Sequence, residues 1–227
     1  MLNTELLDRP IWSALTHDHA HMGQMLGLAR RYRSEFSPFH AAEMMSDAAV
    51  ADLMSLIEPG ETASLVELAP QDPPPGFSAR HVEIVQLVAT EFPDREGEFD
   101  VRSLSAEYAD QMLELACLTK PGPFRERTGE FGRYLGIFDG GRLVAMGGER
   151  MSFDGFVEIS AVCTHPDYRG RGYGAALICS VGRQLQADGK TPFLHSNADN
   201  DVALGLYQSL GLKPRRNLWH TMWEPVE

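Results

Sequence analysis

The sequence predicts an α/β protein in which a C-terminal part alternates strands and helices, preceded by a mainly helical N-terminal segment. From about residue 98 onwards, the apolar pattern switches between the two-residue period of strands and the three-to-four-residue period of helices. A proline-rich stretch at residues 69–76 interrupts the chain, because proline fixes φ and lacks a backbone donor. We therefore expect an N-terminal lobe at residues 1–95 and a second domain at residues 96–227.

The N-terminal segment combines two patterns. Apolar residues recur at helical spacing over residues 11–29, which predicts a long helix. Ser46 is a candidate N-cap for a second helix, and Pro59 would end that helix. Residues 63–68 and 81–89 are rich in apolar and β-branched side chains and are predicted strands. These two strands are candidates for an extension of the C-terminal sheet.

The C-terminal part is predicted to contain three helices among six strands. The expected helices cover residues 105–119, 172–187 and 201–210, and the expected strands cover 100–103, 134–138, 142–151, 156–164, 191–196 and 217–223. Asp139-Gly140-Gly141 is typical of a hairpin turn. Gly211 is expected in the left-handed position that ends the last helix.

Composition limits the classes of function. The net charge of −12 disfavours a nucleic-acid partner, since phosphate binding needs a basic surface. No run of eighteen apolar residues exists, so no membrane-spanning segment is expected, and the first residues lack the apolar region of a signal peptide. The three cysteines lack the spacing of a zinc site or a disulfide framework. We expect a cytoplasmic protein without a bound metal.

A glycine-rich turn follows the most apolar predicted strand. It consists of Arg169, Gly170, Arg171, Gly172, Tyr173, Gly174 and Ala175. Pyrophosphate binding needs several converging backbone N–H groups, which glycines leave accessible and which a helix N-terminus supplies. A Rossmann fingerprint would instead follow the first strand of a repeated unit, and a Walker loop needs Gly-Lys-Ser/Thr, which is absent.

Two motifs in the correct order resemble those of the GNAT superfamily of acetyl-CoA-dependent N-acetyltransferases. Its first motif is matched by Arg169, Gly172 and Gly174. Its second motif is matched by Asn200, Ala203, Leu206, Tyr207, Leu210 and Gly211, with Leu212 in place of phenylalanine. The resemblance covers residues 98–224 and points to the FR-forty-seven-like branch. In that branch, the N-terminal segment is often a partial copy of the GNAT fold.

The resemblance implies a mixed central sheet with flanking helices, in which strand 156–164 splays from strand 191–196. Backbone groups of Val162, Cys163 and Thr164 would line the pantetheine arm of acetyl-CoA. The glycine-rich turn would hold the pyrophosphate, and Asn200 would contact the cofactor arm.

Direct attack of an amine on a thioester needs a base, an oxyanion donor and an acid. The resemblance offers Glu158 as the base, since some members carry a glutamate at that strand position, and Tyr207 as the acid that protonates the leaving thiolate. His195 is the rival base, because histidine titrates near neutrality and a catalytic glutamate stands at the like position in ribosomal-protein N-terminal acetyltransferases. The backbone N–H of Val162 or Cys163 is the candidate oxyanion donor. The Cys163 thiol has apolar neighbours and is not expected to be a nucleophile.

The sequence therefore predicts an N-acetyltransferase that moves an acetyl group from acetyl-CoA to a primary amine. A regulatory protein that binds acetyl-CoA without turnover is the alternative. The acceptor is expected to be a small-molecule amine or a peptide N-terminus. The N-terminal lobe either shapes the acceptor site or mediates formation of a homodimer, and the sequence does not choose between these roles.

Overall fold

The computed structural model describes residues 2–89, 91–95 and 99–226. The helices are α1 (Pro10–Thr16), α2 (Asp47–Leu56), α3 (Ala109–Thr119), α4 (Tyr173–Ala187) and α5 (Asp201–Ser209). The strands are β1 (Gly23–Leu26), β2 (Ala29–Tyr32), β3 (His40–Ala42), β4 (Ala63–Glu67), β5 (Phe77–Ala89), β6 (Val101–Leu104), β7 (Tyr134–Asp139), β8 (Arg142–Phe153), β9 (Phe156–Thr164), β10 (Thr191–Asn197) and β11 (Leu212–Pro225).

The central sheet has eight strands in the order β4-β11-β5-β10-β9-β8-β7-β6. The pair β9–β10 is parallel, and the other neighbouring pairs are antiparallel. The sheet is therefore mixed, with helices packed against it, and the predicted fold class is confirmed. A second sheet of three strands, β1-β2-β3, lies in the N-terminal segment.

The helix predicted over residues 11–29 is wrong beyond Thr16. The chain turns there and forms the β1–β2 hairpin, in which Gly27 has a φ of +49°. The Asp52 carboxylate of α2 accepts a hydrogen bond of 2.8 Å from the Leu28 N–H and fixes this turn. A side chain at Gly27 would overlap that carboxylate. Glycines 23 and 27 disfavour a helix, and tertiary packing decides the outcome.

The two predicted N-terminal strands extend the main sheet. β5 lies between β10 and β11, and β4 forms an edge against β11. Both β5 and β11 are longer than predicted, with a bulge in β11 between Pro214 and Arg216. Strands from both sides of the proline-rich stretch thus share one set of backbone hydrogen bonds.

Helix α4 fixes the position of the glycine-rich turn because its apolar face is buried against the sheet. Leu177, Ile178, Val181 and Leu185 are each at most 2% exposed, as the sequence pattern predicts. Burial of each such side chain contributes about 1.5–3 kcal/mol. The N-terminus of α4 is therefore held firmly against β9.

Gly182 in α4 lies directly against the ring of Phe92, and an added Cβ would overlap that ring. We expect Gly182→Ala to lower the free energy of unfolding by about 1–3 kcal/mol, because overpacking a filled core forces neighbours to shift. The matched control is Gly205→Ala in α5, where nothing lies within 4 Å of the added methyl group. That change should stabilise the protein slightly. Urea unfolding measures both, and equal effects would contradict the packing argument.

Candidate active site

The turn before α4 exposes a set of backbone donors. Gly170 and Gly172 have φ values of +76° and +86°, which glycine adopts without strain. Gly172 is the N-cap and provides no side-chain hydrogen bond, and the first intrahelical bond of the helix runs from the Ala176 N–H to the Gly172 carbonyl. The N–H groups of the three residues between them therefore lack intrahelical partners. With Arg169 and Arg171 exposed beside them, they form a site suited to an anion.

Strands β9 and β10 part from each other towards this turn. They pair in parallel at only three positions, from Phe156–Thr191 to Glu158–Phe193. Beyond Glu158, β9 contains a bulge opposite β8, and Ala161 within it has a φ of +53°. Because a bulge leaves one residue outside the ladder, it frees backbone groups near Val162 for other partners.

The gap between the strands is a cleft of about 380 Å³. Four of the predicted site residues line it: Val162 of β9, His195 of β10, Asn200 before α5, and Tyr207 of α5. The Asn200 side chain also caps α5 by accepting a hydrogen bond of 3.1 Å from the Ala203 N–H. The last residues of β9 lead from this cleft to the glycine-rich turn before α4.

Cys163 and Thr164 continue β9 beyond the cleft. Cys163 is buried, and burial raises the pKa of its thiol to about 11. A thiol with this pKa is almost wholly protonated at neutral pH, so Cys163 is a poor nucleophile.

Glu158 lies beneath the cleft in a buried ion pair. Arg150 donates two hydrogen bonds of 2.7 Å to the carboxylate, and His195 Nδ1 lies 2.7 Å from Oε1. Burial alone would raise the pKa of the Glu158 carboxyl, but the ion pair with Arg150 and the hydrogen bond from His195 lower it to about 2. The carboxylate is therefore charged, 1% exposed and fully engaged with protein groups.

Gln86 of β5 determines the tautomer of His195. Its side-chain amide donates to the Leu7 carbonyl over 2.8 Å and accepts from Arg215 over 3.0 Å, which fixes its orientation. The amide nitrogen then lies 3.1 Å from His195 Nε2, so Nε2 accepts and Nδ1 donates to Glu158. Sequence reasoning missed both Arg150 and Gln86.

Tyr207 faces the cleft from α5 and is half-buried. Burial raises the pKa of its hydroxyl above the usual value, so the phenol remains protonated at neutral pH. Within the described part of the chain, no residue forms a hydrogen bond with this hydroxyl. It can therefore donate to a group placed in the cleft.

Comparison with known proteins identifies the family. A family model described as FR47-like protein matches residues 134–224. A solved structure from Novosphingobium aromaticivorans, assigned to the GNAT family of acetyltransferases, is 36% identical with a TM-score of 0.91. The match covers 97% of this chain and 99% of that one. The chain belongs to the GNAT family.

Other GNAT structures share the fold at lower identity. A GCN5-related N-acetyltransferase from Kribbella flavida is 16% identical, with a TM-score of 0.65 over 99% of this chain and 96% of that one. A GCN5-related N-acetyltransferase-like protein from Streptococcus suis is 19% identical, with a TM-score of 0.63 over 95% and 92%. No curated protein matches this GNAT chain. Within its described residues, no helix has the length and apolar character needed to cross a membrane.

Proposed function

We propose that this GNAT protein transfers an acetyl group from acetyl-CoA to a primary amine by direct attack of the amine on the thioester. One observation carries the proposal: the parting of β9 and β10 leaves a cleft lined by Val162, His195 and Tyr207, and β9 continues from Val162 towards the anion site before α4. A thioester in this cleft would lie between backbone donors and a protonated phenol. This arrangement supports turnover rather than binding alone.

The cofactor would be held mainly by backbone groups. The N–H groups at the start of α4 and the guanidinium groups of Arg169 and Arg171 would neutralise the pyrophosphate. Backbone groups of Val162, Cys163 and Thr164 would line the pantetheine arm, which would lie along β9 like an added strand. Asn200 would lie beside the arm. The remaining residues of the turn, Gly170, Gly172, Tyr173, Gly174 and Ala175, would surround the phosphates.

For the base, the structure favours His195 over Glu158. Three hydrogen bonds already engage the Glu158 carboxylate, and its low pKa makes it a weak proton acceptor. We assign it the task of holding the proton on His195 Nδ1, which leaves the Nε2 lone pair as the acceptor. The contact between Nε2 and Gln86 must be exchanged for the amine when the acceptor binds.

Two further groups that line the cleft would stabilise the oxyanion and protonate the leaving thiolate. The backbone N–H of Val162, next to the bulge, would stabilise the oxyanion of the tetrahedral intermediate. Tyr207 would protonate the departing thiolate. An assay of CoA release with a panel of amines tests the function, and acetyl-CoA binding without turnover of any amine would favour the silent regulatory alternative.

Tyr207→Phe should lower kcat by about 100-fold or more while leaving acetyl-CoA affinity nearly intact, because the ring remains and only the proton is lost. Steady-state kinetics with a responsive amine measures kcat, and the thermal shift with acetyl-CoA measures binding. Tyr108→Phe is the matched control, since Tyr108 packs against Phe138 away from the cleft. A wild-type kcat for Tyr207→Phe would assign Tyr207 a packing role only.

A further inference from the structure

The charges that line the cleft are opposite to the charge of the whole protein. The chain carries a net charge of −12, yet no Asp or Glu side chain of the described residues lines the cleft. The ionisable residues there are Lys120, Arg150, His195, Tyr207 and His220. A polyamine or another multiply charged cation would meet no acidic side chain of the described residues on the walls of such a cleft.

Arg150 retains hydrogen-bonding capacity on the cleft side. Its Nε and Nη2 atoms bind Glu158, and Nη1 forms no hydrogen bond with any residue that the structure describes. The side chain is 12% exposed and lines the cleft. An arginine that is ion-paired through two nitrogens and open at the third can add a charge-assisted hydrogen bond to an incoming anion.

His220 of β11 lines the same cleft and has an unpartnered nitrogen. Its Nε2 atom is shielded from solvent and has no hydrogen-bond partner among the described residues. Buried polar atoms usually find a partner, so an unsatisfied one beside a cleft points to a group supplied by a ligand. Burial, with Arg150 nearby, lowers the pKa of His220 to about 4, so the neutral ring can donate one N–H.

We propose that the acceptor is an amino acid, whose carboxylate binds Arg150 Nη1 and His220 while its amine lies against His195. This inference rests on the proposed acetyl transfer and names its acceptor class. Lys120, at the exposed rim, would attract the carboxylate from solution.

The spacing of the two groups fits one small molecule. His195 Nδ1 and Arg150 Nη2 each lie 2.7 Å from the same oxygen, Oε1 of Glu158. These two nitrogens therefore cannot be farther apart than twice that distance. The imidazole and the guanidinium are thus neighbours, so one small molecule that carries both an amine and a carboxylate can contact both side chains. A peptide N-terminus, whose α-carbonyl carries no charge, would offer Arg150 Nη1 no anionic partner.

The test compares each α-amino acid with its own carboxamide, together with a peptide amide and spermidine, by CoA release. We expect kcat/KM for the free acid to exceed that of the carboxamide by about 10- to 100-fold, the effect of losing a hydrogen bond to a charged group. The amine of a carboxamide is less basic and more of it is neutral, so amine ionisation cannot produce this preference. Equal or better use of carboxamides, peptide amide or spermidine would overturn the inference while leaving acetyl transfer intact.

Lys120→Gln should raise KM for the free amino acid by about two- to fivefold without changing kcat, and added salt should reduce the difference. KM for the carboxamide should not move, whereas a purely structural role would change both. Glutamine keeps an unbranched side chain in the left-handed conformation that Lys120 adopts, with a φ of 51°. Lys213→Gln, an exposed lysine outside the cleft, is the matched control.

If no amine is turned over, a binding experiment tests whether the cleft holds a carboxylate. The protein with CoA is titrated with N-acetyl amino acids and with the corresponding N-acetyl carboxamides, and thermal stabilisation is measured. Preference for the acids would retain the carboxylate site while the proposed activity fails. Absence of any preference would remove the carboxylate site as well.

Discussion

Gly172→Glu is expected to abolish the thermal stabilisation that acetyl-CoA gives the wild-type protein. A ligand that binds only the native state stabilises it by RT ln(1 + [L]/Kd), which is about 2.7 kcal/mol when the ligand is at 100 times Kd. The variant places a carboxylate at the N-cap of α4, where the pyrophosphate would lie, and like charges would repel. Differential scanning fluorimetry with increasing acetyl-CoA measures the loss.

The control for Gly172→Glu must introduce the same charge at another glycine with a left-handed backbone. Gly189, just beyond the other end of α4, also has a left-handed backbone, with a φ of +72° against +86° at Gly172. No atom lies within 4 Å of a Cβ added at Gly189. Gly189→Glu should therefore lose comparable stability without ligand but retain the full response to acetyl-CoA. If both variants respond like the wild type, the anion site before α4 is wrongly assigned.

Glu158→Gln is expected to destabilise the protein by about 3–5 kcal/mol, because it leaves the Arg150 guanidinium buried without a counter-charge. The pKa of Glu158 is about 2 in the folded protein, below the usual 4.5 of glutamate. Its carboxylate thus contributes stability above pH 5, and this contribution is lost as the pH falls towards 2. Urea unfolding should show the difference between variant and wild type shrinking over that range.

Comparing Glu158→Gln with His195→Ala distinguishes the residue that orients the base from the residue that removes the proton from the amine. His195→Ala keeps the Arg150–Glu158 pair, so its loss of stability should be smaller, whereas kcat/KM should fall by about 100- to 10,000-fold. The pH profile of kcat/KM tests the assignment further, since loss of its acidic limb in His195→Ala, with the limb retained in Glu158→Gln, would support His195 as the base. Near-wild-type rates across pH in both variants would exclude both bases, and the site would act by orienting an amine that arrives deprotonated.

The sequence predicts the anion site well because its determinants are local. The glycines before α4, the apolar stripe of that helix and the strand that precedes them follow one another along the chain. The surroundings of Glu158 are different. Arg150 reaches it across the β8–β9 hairpin, and Gln86 meets His195 across 109 residues through sheet pairing.

Neither Arg150 nor Gln86 belongs to a motif, and both depend on a strand order that the sequence pattern does not specify. The N-terminal hairpin was missed for a related reason. Apolar residues at helical spacing are compatible with a strand when long-range packing supplies its partners, as Asp52 and α2 do for the β1–β2 turn. Sequence patterns therefore predict a site whose residues follow one another along the chain. They fail where the structure depends on contacts between distant segments.

The position of β5 between β10 and β11 has a consequence for how the protein is made. During synthesis, β4 and β5 emerge long before β10 and β11, the strands that pair with them in the central sheet. At about 5–20 residues per second, the wait for another hundred residues lasts roughly 5–20 seconds, during which apolar strand edges stay open. Such nascent chains are candidates for chaperone binding. A chain released before β11 would expose β4 and one edge of β5, and we expect it to aggregate rather than persist as a folded fragment.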